Sequence, residues 1–130
     1  MATDPNNPND FFKNSDKRAG KFTNYHELLQ YYVGYGGHHN SKTRFRRYNG
    51  EQNRPLLAAH DLTASKYMIV PNTKMKVTLI ADGEKIQYLM NGKLVFELED
   101  PNPYRQGYFG IRTVNNHMKI ENLLIKAVPN

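Results

Sequence analysis

The 130-residue chain has no cysteine and no tryptophan. Without cysteine there is no disulfide staple and no thiolate-bound metal, and the redox compartment stays undetermined. No window approaches the roughly 18 consecutive apolar residues of a membrane helix, and the opening MATDPNNPND lacks the charged and apolar regions of a secretory signal. Insertion into a membrane is therefore not expected. No long segment carries a convincing 3.6-residue period and there is no internal repeat, which argues against a helical bundle or a solenoid. Acidic residues are few: 12 Asp and Glu against 18 Lys and Arg give a formal charge of +6. That balance points to an anionic partner, whether acidic polysaccharide, nucleic acid or lipid headgroups.

What remains reads as one β-rich domain. Residues 1–21 are rich in Asn, Asp and Pro and read as an irregular polar lead-in to a domain over 22–130. Short β-prone runs follow at about 28–35, 43–48, 66–70, 74–82, 85–90, 93–99, 107–114 and 117–127, separated by turn pairs such as Gly36-Gly37, Asp82-Gly83 and Asn91-Gly92. Met75, Val77, Leu79 and Ala81 alternate with Lys76, Thr78 and Ile80, the period of a half-buried strand. Asn91-Gly92 is the best hairpin signal, because a type I′ turn needs positive φ at both central residues. The spacing predicts an all-β, antiparallel sandwich or jelly roll.

The stretch from Tyr31 to Tyr48, YYVGYGGHHNSKTRFRRY, is too aromatic for a linker and too polar for an ordinary buried strand. On a strand Arg44, Arg46 and Tyr48 share one face, with Phe45 and Arg47 on the other; Tyr31, Val33 and Tyr35 likewise oppose Tyr32. Aromatic rings beside forked guanidinium donors make a wall suited to a carboxylate-bearing chain. A solvated basic strand rimmed with tyrosine is the plainer alternative. His38-His39 reads as an exposed turn, since adjacent strand side chains point apart and no acid accompanies them. His60-Asp61 has no nucleophile context and reads as a loop hydrogen bond.

The segment from Lys76 to Val128, with its Asn-Gly hairpin, then Gly107, Phe109, Gly110, Ile111 and Arg112, then Ile120, Asn122, Leu123 and Ile125, resembles the C-terminal half of a concanavalin A-like (lectin/glucanase) jelly roll. GKFTNYHELLQYYVGYGGHHNSKTRFRRYNGE and RPLLAAHDL further resemble a family of Bacteroidetes polysaccharide-utilisation proteins of this fold. Such relatives carry early strands and usually an export signal upstream. The resemblance thus implies a periplasmic or secreted family, a chain lacking early strands, and a homo-oligomer as one way to complete the sandwich. It also implies a glycan groove, with an acidic, uronate-containing polysaccharide as partner.

Lyases of this class use Arg or Asn, His and Tyr, which makes Tyr25, His26 and Tyr32 the candidate proton-transfer groups. Tyr25 or Tyr32 would serve if arginines lowered its pKa. Tyr31, Tyr35, Arg44, Arg46, Tyr108, Arg112 and His117 are the candidate substrate-binding groups. Glycoside hydrolysis is the weaker enzymatic reading, because it wants two carboxyl groups about 5–9.5 Å apart and only Glu27 sits among aromatic and imidazole neighbours. A non-catalytic glycan-binding module uses the same groove. A nucleic-acid-binding β-platform ranks lower, for want of a recognisable motif. No cofactor or metal site is implied, although structural calcium held by backbone carbonyls stays open.

Overall fold

The computed structural model describes residues 1–127 and is built mostly from antiparallel sheet. One sheet orders its strands β1 (Ala2–Thr3), β2 (Leu29–Gly36), β3 (Lys42–Asn49) and β4 (Asp61–Leu62); the other contains β5 (Val77–Asp82), β6 (Lys85–Met90) and β7 (Lys93–Glu99). The β6–β7 hairpin turns at Asn91 and Gly92, with φ of 50° and 77°, as the Asn-Gly pair predicts. The sheets meet over a core of Phe45 from β3, Ile86 and Tyr88 from β6, and Phe96 from β7, with Tyr31, Val33 and Leu62 packed around it. Alternation does the sorting: every second side chain of β3 and β6 turns inward, and Phe45 stacks on Phe96 at 5.9 Å between ring centroids.

A buried polar knot joins the two layers beside this core. The Asp100 carboxylate, 4% exposed, lies just past the end of β7. It accepts from the Tyr31 hydroxyl at 2.5 Å, Arg47 Nε at 2.6 Å and the Asn102 amide at 3.0 Å. Arg47 also donates to the Asn102 carbonyl and lies over the Tyr104 ring, 4.3 Å from its centroid. Tyr104 in turn donates to the Tyr48 carbonyl at 2.7 Å. Burial alone would push the Asp100 carboxyl up, but the bonds from Tyr31, Arg47 and Asn102 outweigh it and hold the group below the usual carboxylate range.

Three of the predicted runs are not strands. Residues 66–70 hold a short 3-10 turn at Ser65–Tyr67 instead. The Tyr67, Met68 and Ile69 carbonyls are taken by the side chains of Thr43, Tyr35 and Asn40. The segments 107–114 and 117–127 are irregular, apart from a bridge between Tyr108 and Ala2. Their apolar residues remain exposed, Ile120 by 53% and Ile125 by 76%. Left-handed Asn115 and Asn122, φ 49° and 56°, interrupt the extended path. The 1–21 lead-in is partly ordered into sheet, since Ala2 and Thr3 pair with Gln30 and Leu29. Val77 and Leu79 register with Met90 and Tyr88 on the core side yet stay 44% and 53% exposed, so the first sheet does not reach over β5.

The knot makes stability acid-sensitive. A carboxyl held low in the folded state contributes stability that is complete above its unfolded pKa of about 3.9 and is lost as pH falls through the folded value. Asp100→Asn is expected to cost about 1–3 kcal/mol at neutral pH and to flatten the acid limb, read by urea denaturation across pH; an unchanged acid limb would refute the role. At the alkaline end, burial is the leading cause that pushes Tyr31, Tyr48 and Tyr88 each up to about 12. Stability is then complete below pH about 10 and falls as pH climbs through the folded values. Tyrosinate absorbance should accordingly rise together with loss of circular dichroism rather than before it.

Candidate functional site

The register of β2 and β3 gives the first sheet two unlike faces. Tyr31 pairs with Arg47 and Val33 with Phe45 on the core side; Gln30 pairs with Tyr48, Tyr32 with Arg46 and Gly34 with Arg44 on the other. On that second face lies a hollow of about 210 Å³, walled by Phe22 and Tyr32, floored at Gly34 and ringed by Lys42, Arg44, Arg46 and Arg54. Gly34 is small for a local reason. A Cβ there would stand 3.1 Å from Cε1 and 3.3 Å from the hydroxyl of Tyr32, whose ring lies across it.

The charges around the hollow are unbalanced. Asp61 is taken by Arg44, through Nε at 2.8 Å and NH2 at 2.9 Å, with Lys42 at 3.8 Å. Its hydrogen bond from Arg44 holds the Asp61 carboxyl below its ordinary value and raises Arg44 in return. Arg46 and Arg54 form no ion pair among the described residues, and Arg46 donates to the Arg54 backbone carbonyl. Burial, with the neighbouring Arg54 and Arg44, pulls Arg46 below the usual guanidinium value. A second hollow of about 200 Å³, around Asp4, Arg18 and Glu27, differs in kind because its Arg18 is paired with Asp4.

Four rings form a closed circuit behind the arginines. Phe22 meets His26 edge-on at 4.9 Å, His26 meets Tyr48 at 5.8 Å, Tyr48 meets Tyr32 at 5.6 Å, and Tyr32 returns to Phe22 at 5.8 Å. His26 is 4% exposed; its Nδ1 stands 3.4 Å from Gln52 Oε1, while among the described residues its Nε2 has no hydrogen-bond partner, and neither has the Tyr48 hydroxyl. Burial, then the charges of Arg54 and Arg46, lower the His26 pKa, so the ring is neutral at pH 7. The expectation that arginines would lower Tyr32 does not hold. Burial raises its pKa and outweighs the opposing pull of Arg112, Arg46 and Arg54.

Of the residues singled out in the sequence, Tyr32, Arg44 and Arg46 line the hollow. His26 lies behind Phe22, and Arg112 reaches the same ring from the C-terminal segment, 5.8 Å from its centroid, while donating to the Gly20 carbonyl at 2.6 Å. The others are elsewhere. Tyr31 and Tyr35 point to the core side and spend their hydroxyls on Asp100 and the Met68 carbonyl. Tyr25 donates to the Arg18 carbonyl at 2.8 Å. Tyr108 stacks on Phe11 at 4.7 Å beside β1, and His117 is exposed on the irregular C-terminal segment. His60 bonds the Glu97 carbonyl at 2.9 Å, a structural bond of the kind read for it. Phe22, Arg54 and Tyr48 were not among the expected site residues. Tyr48 shares the strand face of Arg44 and Arg46 and was open to that inference, whereas nothing periodic in the loop around Arg54 marks it.

Among the described residues no group of three or more His, Asp or Glu is placed to hold a metal ion, and no helix is long and apolar enough to cross a membrane. The comparisons with known proteins give one match, to the family described as Domain of unknown function (DUF6250), over residues 1–123. No curated protein and no solved structure matches. With nearly its whole length aligned, the chain belongs to the DUF6250 family.

Proposed function

We propose that the hollow on the outer face of the first sheet binds an acidic, uronate-containing polysaccharide, on a domain of the concanavalin A-like jelly-roll class. The observation that carries this reading is the coincidence of an aromatic wall, Phe22 and Tyr32, with Arg46 and Arg54, neither of which forms an ion pair among the described residues. Aromatic faces take the C–H side of a pyranose, and guanidinium groups take its carboxylate. A nucleic-acid strand would meet the same charges, but the hollow is walled by two aromatic rings, Phe22 and Tyr32, and bounded by Gly37 and His38 of the β2–β3 turn, whereas stacking platforms lay successive bases on a run of exposed aromatics.

A second reading, β-elimination at the same site, is favoured by one pair of groups. His26 is neutral with a free Nε2, fit to accept a proton, and Tyr32 stays protonated, fit to donate one. In that step the base takes the C5 proton, the C–H pair becomes the C4–C5 double bond, and the C4–O bond breaks as the leaving oxygen gains a proton. Cations beside the carboxylate stabilise the charge that develops. His26 is reached only if the Phe22 ring turns aside, because that ring stands edge-on against the imidazole. Binding is therefore the function the resting geometry supports best.

Calorimetric titration with oligogalacturonate should show saturable binding that weakens with salt, and a neutral glucan of equal length should show none; equal binding of the two would refute the reading. Gly34→Val, which drives a side chain into the Tyr32 ring, should weaken oligogalacturonate binding at least about tenfold while leaving the thermal midpoint within a few degrees. Appearance of ultraviolet absorbance from an unsaturated uronate would assign the elimination, with His26→Ala abolishing it; binding without absorbance leaves a binding module.

A further inference from the structure

We infer that the anion seat of this site is built from Arg46, Arg54 and Arg112, three arginines from three separate segments, and not from the neighbouring pair Arg44 and Arg46. The inference rests on the glycan reading above and names the group recognised: an oxyanion carried on a sugar ring, a carboxylate or a sulfate ester. Arg44 is excluded by its bonds, because both arms of its fork that face Asp61 are engaged and NH1 stands 3.0 Å from His38 Nε2. Arg54 and Arg112 stand over one ring, 5.1 Å and 5.8 Å from the Phe22 centroid, and neither forms an ion pair among the described residues. Arg46 and Arg54 line the hollow with Tyr32, and Arg54 and Arg112 share the Phe22 ring, which meets Tyr32 at 5.8 Å. Like charges brought together repel, and an oxyanion relieves that repulsion while gaining charge-assisted hydrogen bonds.

Arg112 gives the seat a property a strand pair would lack. It belongs to the irregular segment after Gly107, and in the free protein it is anchored by one bond to the Gly20 carbonyl and by its place over Phe22. An anion held by Arg46 and Arg54 therefore also holds Arg112, and with it the C-terminal segment, against the sheet. Occupancy of the seat should shield the Arg112 peptide bond from trypsin.

The full chain is tested with four probes: free galacturonate, inorganic sulfate, oligogalacturonate and a sulfated galactan. Arg54→Gln and Arg112→Gln should each weaken binding of the preferred anion about tenfold or more, while Arg105→Gln, an exposed residue whose loss changes net charge equally, should change it less than threefold. Unaltered circular dichroism and thermal midpoint establish that each variant is folded. Trypsin cleavage after Arg112 should slow at least fivefold at saturating ligand. The carboxylate and sulfate arms decide which oxyanion the seat prefers. If small anions protect Arg112 and depend on Arg54 but neither polymer binds, the seat stands and the polysaccharide reading falls. If oligogalacturonate binds the Arg54 and Arg112 variants as tightly as the Arg105 variant, or binds without protecting Arg112, the seat is overturned while the polysaccharide reading survives. If no probe binds, both fall.

Discussion

The Asp100 carboxylate is the interaction on which the rest of the molecule depends. The layers touch over a small apolar core, four buried residues with a partly covered fringe, and a domain of this size buries only part of the surface its chain could cover. Asp100 adds a directed constraint beside that core. By accepting from Tyr31 on β2 and Arg47 on β3 it ties the end of β7 to two paired strands of the opposite sheet. A buried ion pair alone is weak evidence of stability, because desolvation offsets attraction. Here the remaining oxygen is filled by the Asn102 amide, and Arg47 is bonded to the Asn102 carbonyl as well. Such a network fixes one arrangement of the layers more than it adds net free energy.

That constraint reaches the hollow through a single peptide thickness. Tyr31 and Arg47 hold the inner face of a pair of strands whose outer face carries Tyr32 and Arg46. Tyr104, stacked under Arg47, bonds the carbonyl of Tyr48, whose ring joins the circuit behind the arginines. Asp100 is taken by Arg47 on the inner face and Asp61 by Arg44 on the outer face, while Arg46 and Arg54 beside the hollow form no ion pair among the described residues. Two guanidinium groups without an ion pair among the described residues thereby stand together at the hollow.

Much of this was legible in the sequence, and the limits were physical. The two-residue alternation assigned Arg44, Arg46 and Tyr48 to one face of their strand with Phe45 and Arg47 on the other, and set Tyr32 opposite Tyr31, Val33 and Tyr35; the register agrees and adds that Tyr32 shares the face of Arg46. The Asn91-Gly92 hairpin was equally plain, because its signal is local. Tyr31 and Tyr35 were grouped with the site by residue type, though the same alternation sends them inward. The runs at 107–114 and 117–127 have strand composition but, apart from the Tyr108–Ala2 bridge, do not pair, because a strand is a pairing and not a property of one segment. Arg54 and the pairing of Asp100 with Tyr31, 69 residues apart, depend on how loops return, which no period encodes.

The turn between β2 and β3 explains why the two strand arginines differ. Gly36, His38, His39 and Asn40 all adopt left-handed backbone, φ 64°, 52°, 58° and 59°, a conformation that costs a non-glycine residue about 1–2 kcal/mol. A side chain at Gly36 would press to 2.5 Å from Ile69 Cδ1, so glycine is required there. The turn is held from outside: the Asn40 amide bonds both the carbonyl and the N–H of Ile69, at 2.9 Å and 2.8 Å, and the Gly36 N–H is taken by Thr43 Oγ1 at 3.1 Å. Strain maintained this way needs a return, and its geometric product is the placement of His38 against Arg44. With Asp61 on one side and His38 on the other, Arg44 becomes a wall of the hollow. Arg46, two residues along the same strand face, keeps its charge available inside it.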